Sequence, residues 1–154
     1  MLKKRRYVIK VILLICIMYT LCGCSIAMDN SDIDTPLNSN IADEFVNTYE
    51  IPDGVDVIHD YNANGARIFR NIYNNSKVRD HAGWMYNDSR AKIYGRIDKY
   101  CYWGIATDEY YLYIRGDKEE DVLKVKNDYI EFATSYEKDK NTKPACRIPF
   151  PPGR

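Results

Sequence analysis

The sequence predicts an α+β domain: an antiparallel meander of about four strands packed by a long C-terminal amphipathic helix, with one or two short helices before it. Residues 92–97, 100–106 and 110–115 are rich in Tyr, Ile and Trp, and only Asp98-Lys99 and Thr107-Asp108-Glu109 separate them. Connectors that short join antiparallel neighbours. After them, Val122, Val125, Tyr129, Phe132 and Tyr136 recur at three- and four-residue steps, the spacing of a single helix face. An apolar stripe of that length must be buried, and the adjoining sheet is its natural partner.

In chain order, Leu37, Ile41, Phe45 and Tyr49 fall at four-residue steps with Asn38 or Ser39 placed to cap them, so a short helix is expected before Pro52 stops it. Asp53-Gly54 reads as a turn, and Val55, Val57 and His59 alternate as a short strand. From Ala66 the pairs Ile68 with Ile72 and Phe69 with Tyr73 sit on one helix face, ended by Asn74-Asn75-Ser76. From Gly83, Trp84 and Met85 lead into the turn-like Asn87-Asp88-Ser89 and so into the first strand of the meander. Asp117 with Glu120 resembles a capping box opening the long helix. Beyond Lys138 the chain is charged and then rich in proline (Pro144, Pro149, Pro151, Pro152), which rules out continued helix there.

The amino end has a different character. Lys3, Lys4, Arg5 and Arg6 precede an apolar stretch from Tyr7 to Leu21 broken only by Lys10, and Cys22-Gly23-Cys24 follow. A cationic head, a greasy middle and small residues at the cut make a secretory signal, and the clean run Val11 to Met18 falls well short of the roughly 20 residues a spanning helix needs. Leu21-Cys22-Gly23-Cys24 resembles the lipobox of bacterial lipoproteins, although Cys22 stands where Ala, Ser or Thr is more usual. That resemblance implies lipidation of the Cys24 thiol with a diacylglyceryl group, and two acyl chains give durable membrane attachment. The expected organisation is a signal peptide over 1–23, a flexible polar tether over 24–36, one α+β domain over 37–137 and a proline-rich tail over 138–154.

Five of the 22 Lys and Arg precede Cys24 while all 22 Asp and Glu follow it, so the exported part carries a net charge near minus five. An acidic domain is poorly suited to phosphate backbones, and no nucleic-acid partner is expected. Of the five cysteines, Cys16 and Cys22 leave with the signal and Cys24 takes the lipid; Cys101 and Cys146 remain as a candidate disulfide.

Three constellations are candidate sites. If strand alternation sets the register, Cys101, Trp103, Ile105, Tyr110, Leu112 and Ile114 face the long helix. Tyr94, Arg96, Tyr100, Tyr102, Tyr111 and Tyr113 then face the other way, an aromatic, polar-tipped surface suited to stacking on sugars or gripping a protein. The alternatives are that the first helix covers this surface or that the tyrosines simply reflect strand preference. Second, Asp60, Asn62 and Asn64 before Gly65 resemble the start of a calcium loop, but Asn71 stands where a bidentate acid belongs and Arg67 and Arg70 add repelling charge. An Asn-Gly turn entering a helix explains the same residues. Third, His59 beside Asp60 and His81 beside Asp80 are the only histidines and would form a small hydrolytic or metal centre only if they converged. There is no nucleophile elbow, no phosphate-cradling glycine loop and no catalytic cysteine signature, and no cofactor is expected. These residues point to a non-catalytic envelope lipoprotein that binds a glycan, a peptidoglycan fragment or a partner protein. An immunity or exclusion lipoprotein also fits the small size, acidity and anchor.

Overall fold

The structure, a computed structural model, describes residues 30–61 and 64–142. The proposed signal, Cys24, Asn62 and Cys146 lie outside the described residues. A 3-10 turn at Asn30–Asp34 precedes helix α1 (Ser39–Thr48), strand β1 (Val55–Tyr61), helix α2 (Gly65–Asn75), strands β2 (Arg79–Asn87), β3 (Arg90–Ile97), β4 (Tyr100–Ala106) and β5 (Tyr110–Gly116), and helix α3 (Glu119–Thr142). Fold class is as the sequence predicts: α+β, an antiparallel sheet packed by a long C-terminal helix with two short helices before it. The sheet has five strands in the order β1-β5-β4-β3-β2. Strands β2 to β5 form the meander, and β1 closes onto β5 at the far edge.

Local chemistry explains the boundaries. Asn38 caps α1, its side-chain oxygen accepting from the Ile41 amide at 3.0 Å, and the chain turns extended at Tyr49 ahead of Pro52. Asn64 caps α2 by accepting from the Arg67 amide at 3.1 Å. Asp88 and Ser89, both with positive φ, make the two-residue turn between β2 and β3, whose twist suits a hairpin. Asp98, also left-handed, leads the turn from β3 to β4, and its carboxylate accepts from the Lys77 and Val78 amides at 3.0 and 3.1 Å. Those two amides, Val78 foremost, hold the Asp98 carboxyl below the usual carboxylate range.

Alternation divides the sheet into two unequal sides. One side carries Trp103, Ile105, Leu112 and Ile114 under α3 and α1, where Ile41, Phe45, Val122, Val125 and Tyr129 complete a continuous, fully buried core. Each such side chain contributes about 1.5–3 kcal/mol of transfer free energy. The other side carries a smaller cluster in which Phe69 of α2 packs on Ile93, Ile97, Ala91 and Ala106.

Two boundaries differ from expectation. The segment predicted as a tether is held to the domain from its 3-10 turn onward: Asp32 is buried with Lys126 Nζ at 2.5 Å and Lys92 Nζ at 3.6 Å. Arg90 donates to the carbonyls of Ile33 and Thr35 at 2.8 and 3.1 Å, and the Tyr129 hydroxyl donates to the Pro36 carbonyl at 3.1 Å. Composition alone suggested a solvated stretch because its partners, Arg90, Lys92 and Lys126, lie far along the chain. At the other end α3 runs through Thr142, so the first residues assigned to the tail are helical; their charge suits the solvated end of a helix as well as it suits a tail.

Candidate functional site

Antiparallel register decides which tyrosines share a surface. Residues paired across neighbouring strands point to the same face. Tyr102 pairs with Arg115, Gly104 with Tyr113 and Ala106 with Tyr111, so Tyr100, Tyr102, Tyr111 and Tyr113 lie together on the face opposite α3, as the alternation predicted. Tyr94 and Arg96 do not join them. Tyr94 pairs with Trp103 and Arg96 with Cys101, which places both on the α3 side, and Tyr94 packs against the main core. The cause is the two-residue turn: Ile97 pairs with Tyr100, so even positions of β3 match odd positions of β4.

The four rings form a connected ladder. Tyr100 and Tyr102 meet edge-on at 6.4 Å, Tyr102 and Tyr113 are tilted at 6.1 Å, and Tyr113 stacks on Tyr111 at 6.2 Å. Helix α2 lies over β2, β3 and part of β4, and reaches the ladder through Phe69, which meets Tyr113 edge-on at 6.4 Å. The first helix, α1, packs on the opposite side of the sheet with the main core, so the cover expected from it comes instead from α2, and only in part. Tyr102 is buried, whereas Tyr100, Tyr111 and Tyr113 are half-buried, each keeping part of its surface in solvent.

Strand β1 adds residues that the sequence did not assign to this face. Its pairing with β5 sets Asp56 beside Arg115, Ile58 beside Tyr113 and Asp60 beside Tyr111. Arg115 Nε donates to Asp56 Oδ2 at 2.9 Å, and the guanidinium lies 5.1 Å from the centre of the Tyr100 ring. Gly104 permits the close packing of this face, because a Cβ there would collide with the Cβ of Tyr113. Burial raises the pKa of Tyr111, helped by Asp60, and of Tyr113 as well, so both phenols stay protonated and able to donate. The result is a shallow aromatic shelf with phenol tips, two carboxylates and one guanidinium along its edge.

The histidine pairs do not converge. His59 lies on β1 and His81 on β2, the two opposite edges of the sheet, roughly 19 Å apart at the usual strand spacing. Asp60 also points to the face opposite His59. His59 instead meets Tyr110, Nδ1 to Oη at 2.7 Å, and Asp43 at 3.4 Å, a partly exposed cluster joining β1, β5 and α1. Burial, then the neighbouring Asp43, pushes the Tyr110 phenol up to about 12. His81 is exposed, 3.4 Å from Asp80, in a bulge where its φ is 48° and the register shifts. Across from that bulge Gly95 takes a φ of 90°, and a Cβ there would strike the His81 backbone.

Of the three side-chain ligand positions in the calcium-loop resemblance, Asp60 and Asn64 are described. Asp60 accepts from the Tyr61 amide at 2.6 Å, and the Asn64 oxygen is committed to capping α2. Among the described residues no group of three His, Cys, Asp or Glu side chains is arranged to hold a metal ion, and no helix is long and apolar enough to cross a membrane. Cys101 is buried in the core beside α3. Compared with models of protein families, with curated proteins and with solved structures, the chain matches none of them.

Proposed function

We propose that this chain is a membrane-anchored lipoprotein of the bacterial envelope, lipidated at Cys24, whose folded domain binds an envelope glycan or partner protein through the ladder Tyr100, Tyr102, Tyr113 and Tyr111 without catalysing a reaction. The single observation that supports it is that three of these contiguous rings, Tyr100, Tyr111 and Tyr113, are only half-buried. Tyrosines packed only for stability are closed over by their neighbours, whereas Tyr100, Tyr111 and Tyr113 keep part of their surface in solvent beside Asp56, Asp60 and Arg115. Tyrosine is well suited to such a surface, because it offers a large amphipathic area and loses little conformational entropy on contact.

The test is capture from envelope extract by the purified protein and by its Tyr100→Ala, Tyr111→Ala double variant. Tyr102 is left intact because it is buried and its removal would confuse folding with binding. Loss of the captured glycan or protein with an unchanged melting profile supports the reading, and capture equal to the parent removes it. Mass spectrometry of the native product checks the anchor: a diacylglyceryl group on an amino-terminal Cys24 is expected, and an unmodified thiol would overturn that part.

A further inference from the structure

A second concave surface lies on the other side of the sheet, where α1 meets α3. Phe45, Thr48 and Tyr49 form one wall, at helical spacing, and Asp128, Glu131, Phe132 and Ser135 form the other. The groove is shallow and open, with a volume of about 380 Å³. Its base is aromatic: Phe45 stacks on Tyr49 at 4.7 Å with ring planes 15° apart, and Phe132 lies 5.5 Å from Phe45. Its rim is acidic, from Asp128 and the exposed Glu131.

One end of the groove already shows what this combination attracts. Lys124 Nζ lies 5.4 Å from the centre of the Tyr49 ring and donates to both Tyr49 Oη and Asp128 Oδ2 at 3.0 Å. Hydrogen bonds from the Tyr49 hydroxyl and from Lys124 hold the Asp128 carboxyl below its ordinary range, so this carboxylate stays charged. Further along, Glu131 has no ion-pair partner among the described residues. Ring faces and carboxylates both favour a cation; with Asp128 already paired to Lys124, Glu131 is the rim charge left to attract one and to repel an anion.

We propose that the groove between α1 and α3 docks a lysine or arginine side chain, flanked by apolar residues, on a peptide segment of a partner protein. The cation sits over Phe132 and pairs with Glu131, while the flanking apolar groups cover the half-buried Tyr49. The net negative charge of the segment after Cys24 favours approach of such a partner. This surface is separate from the tyrosine ladder, which lies across the sheet, and stands or falls without it.

The full chain in detergent is titrated by calorimetry with the blocked peptide acetyl-Pro-Arg-Phe-Pro-amide and with the same peptide carrying Glu in place of Arg. Binding of the arginine peptide, at least tenfold weaker for the glutamate peptide, is expected. Glu131→Lys should weaken arginine-peptide binding at least tenfold, and Phe132→Ala should weaken it as well. The Tyr100→Ala, Tyr111→Ala variant should bind as the parent does, which separates this proposal from the ladder. Glu131 is exposed, so a melting profile for Glu131→Lys that matches the parent confirms that the loss is one of binding. Equal affinity for the two peptides, an unchanged affinity in Glu131→Lys, or no binding at millimolar peptide would overturn the proposal. So would binding that appears only in a chain ending at Thr142, because the groove's occupant would then be this chain's own end rather than a partner.

Discussion

The two faces of the sheet are made by the same strands and differ in what lies over them. On one, the 24-residue α3 and the 10-residue α1 together bury Trp103, Leu112, Ile114 and Tyr129 completely. On the other, the 11-residue α2 seals Ile93, Ile97 and Ala91 but leaves the tyrosines of β4 and β5 at its margin. Helix length decides how much of a sheet can be closed, since an α-helix advances about 1.5 Å per residue and strands lie about 4.8 Å apart. The short helix leaves a strip that amphipathic side chains fill.

Substitutions can sharpen or break this contrast. Trp103→Ala, which empties the centre of the closed face, is expected to cost about 3–5 kcal/mol by denaturant titration, against under about 1 kcal/mol for Tyr100→Ala on the open strip. Equal costs would mean that the two faces are equally packed. Next comes Asp32→Ala, which takes the carboxylate from the buried Lys92 and the half-buried Lys126 and should cost about 3 kcal/mol. A smaller loss, about 1–3 kcal/mol, is expected from Gly104→Ala, whose new methyl must push Tyr113 aside. A thermal melt at the parental temperature would show that the strip is loose enough to absorb it.

The smallest effect is one of pH. Tyr110 is neutral on both sides of the folding equilibrium below pH 10, and its folded pKa is pushed up to about 12, so the unfolded chain releases this proton first. Stability should therefore fall as pH rises from about 10 to about 12. Tyr110→Phe should flatten part of that decline in chemical denaturation at pH 9 and pH 11.5, and an unaltered slope would show that the phenol is not shielded.

Local patterns in the sequence reported the fold well and the site less well. Alternation in β4 and β5 assigned their faces correctly, and the three- and four-residue steps located all three helices, because each depends on residues near one another in the chain. Tyr94 and Arg96 were misplaced because register across a hairpin depends on turn length as well as on alternation, and Asp98-Lys99 is a two-residue turn. The first four residues of β2 were missed for a related reason: Arg79 to Ala82 are mostly polar and lie in an edge strand beside a bulge, where no burial imposes a period. That β1 would pair with β5 and bring Asp56 and Asp60 to the tyrosines was not visible, since nothing local specifies a contact more than fifty residues away. The α1–α3 groove was hidden likewise, as Phe45 and Phe132 read separately as ordinary core positions.

The grip on residues 32–36 bears on how the domain would carry a mechanical load. Arg90 and Lys92 belong to β3, an inner strand, and Lys126 and Tyr129 to the longest helix. A pull on the amino end is therefore delivered to the middle of the sheet and to the body of α3, where several polar contacts must shear together, instead of unzipping an edge strand one bond at a time. Were the lipid proposed at Cys24 in place, the span to residue 30 could extend no further than about 20 Å, which would hold the domain close to the bilayer.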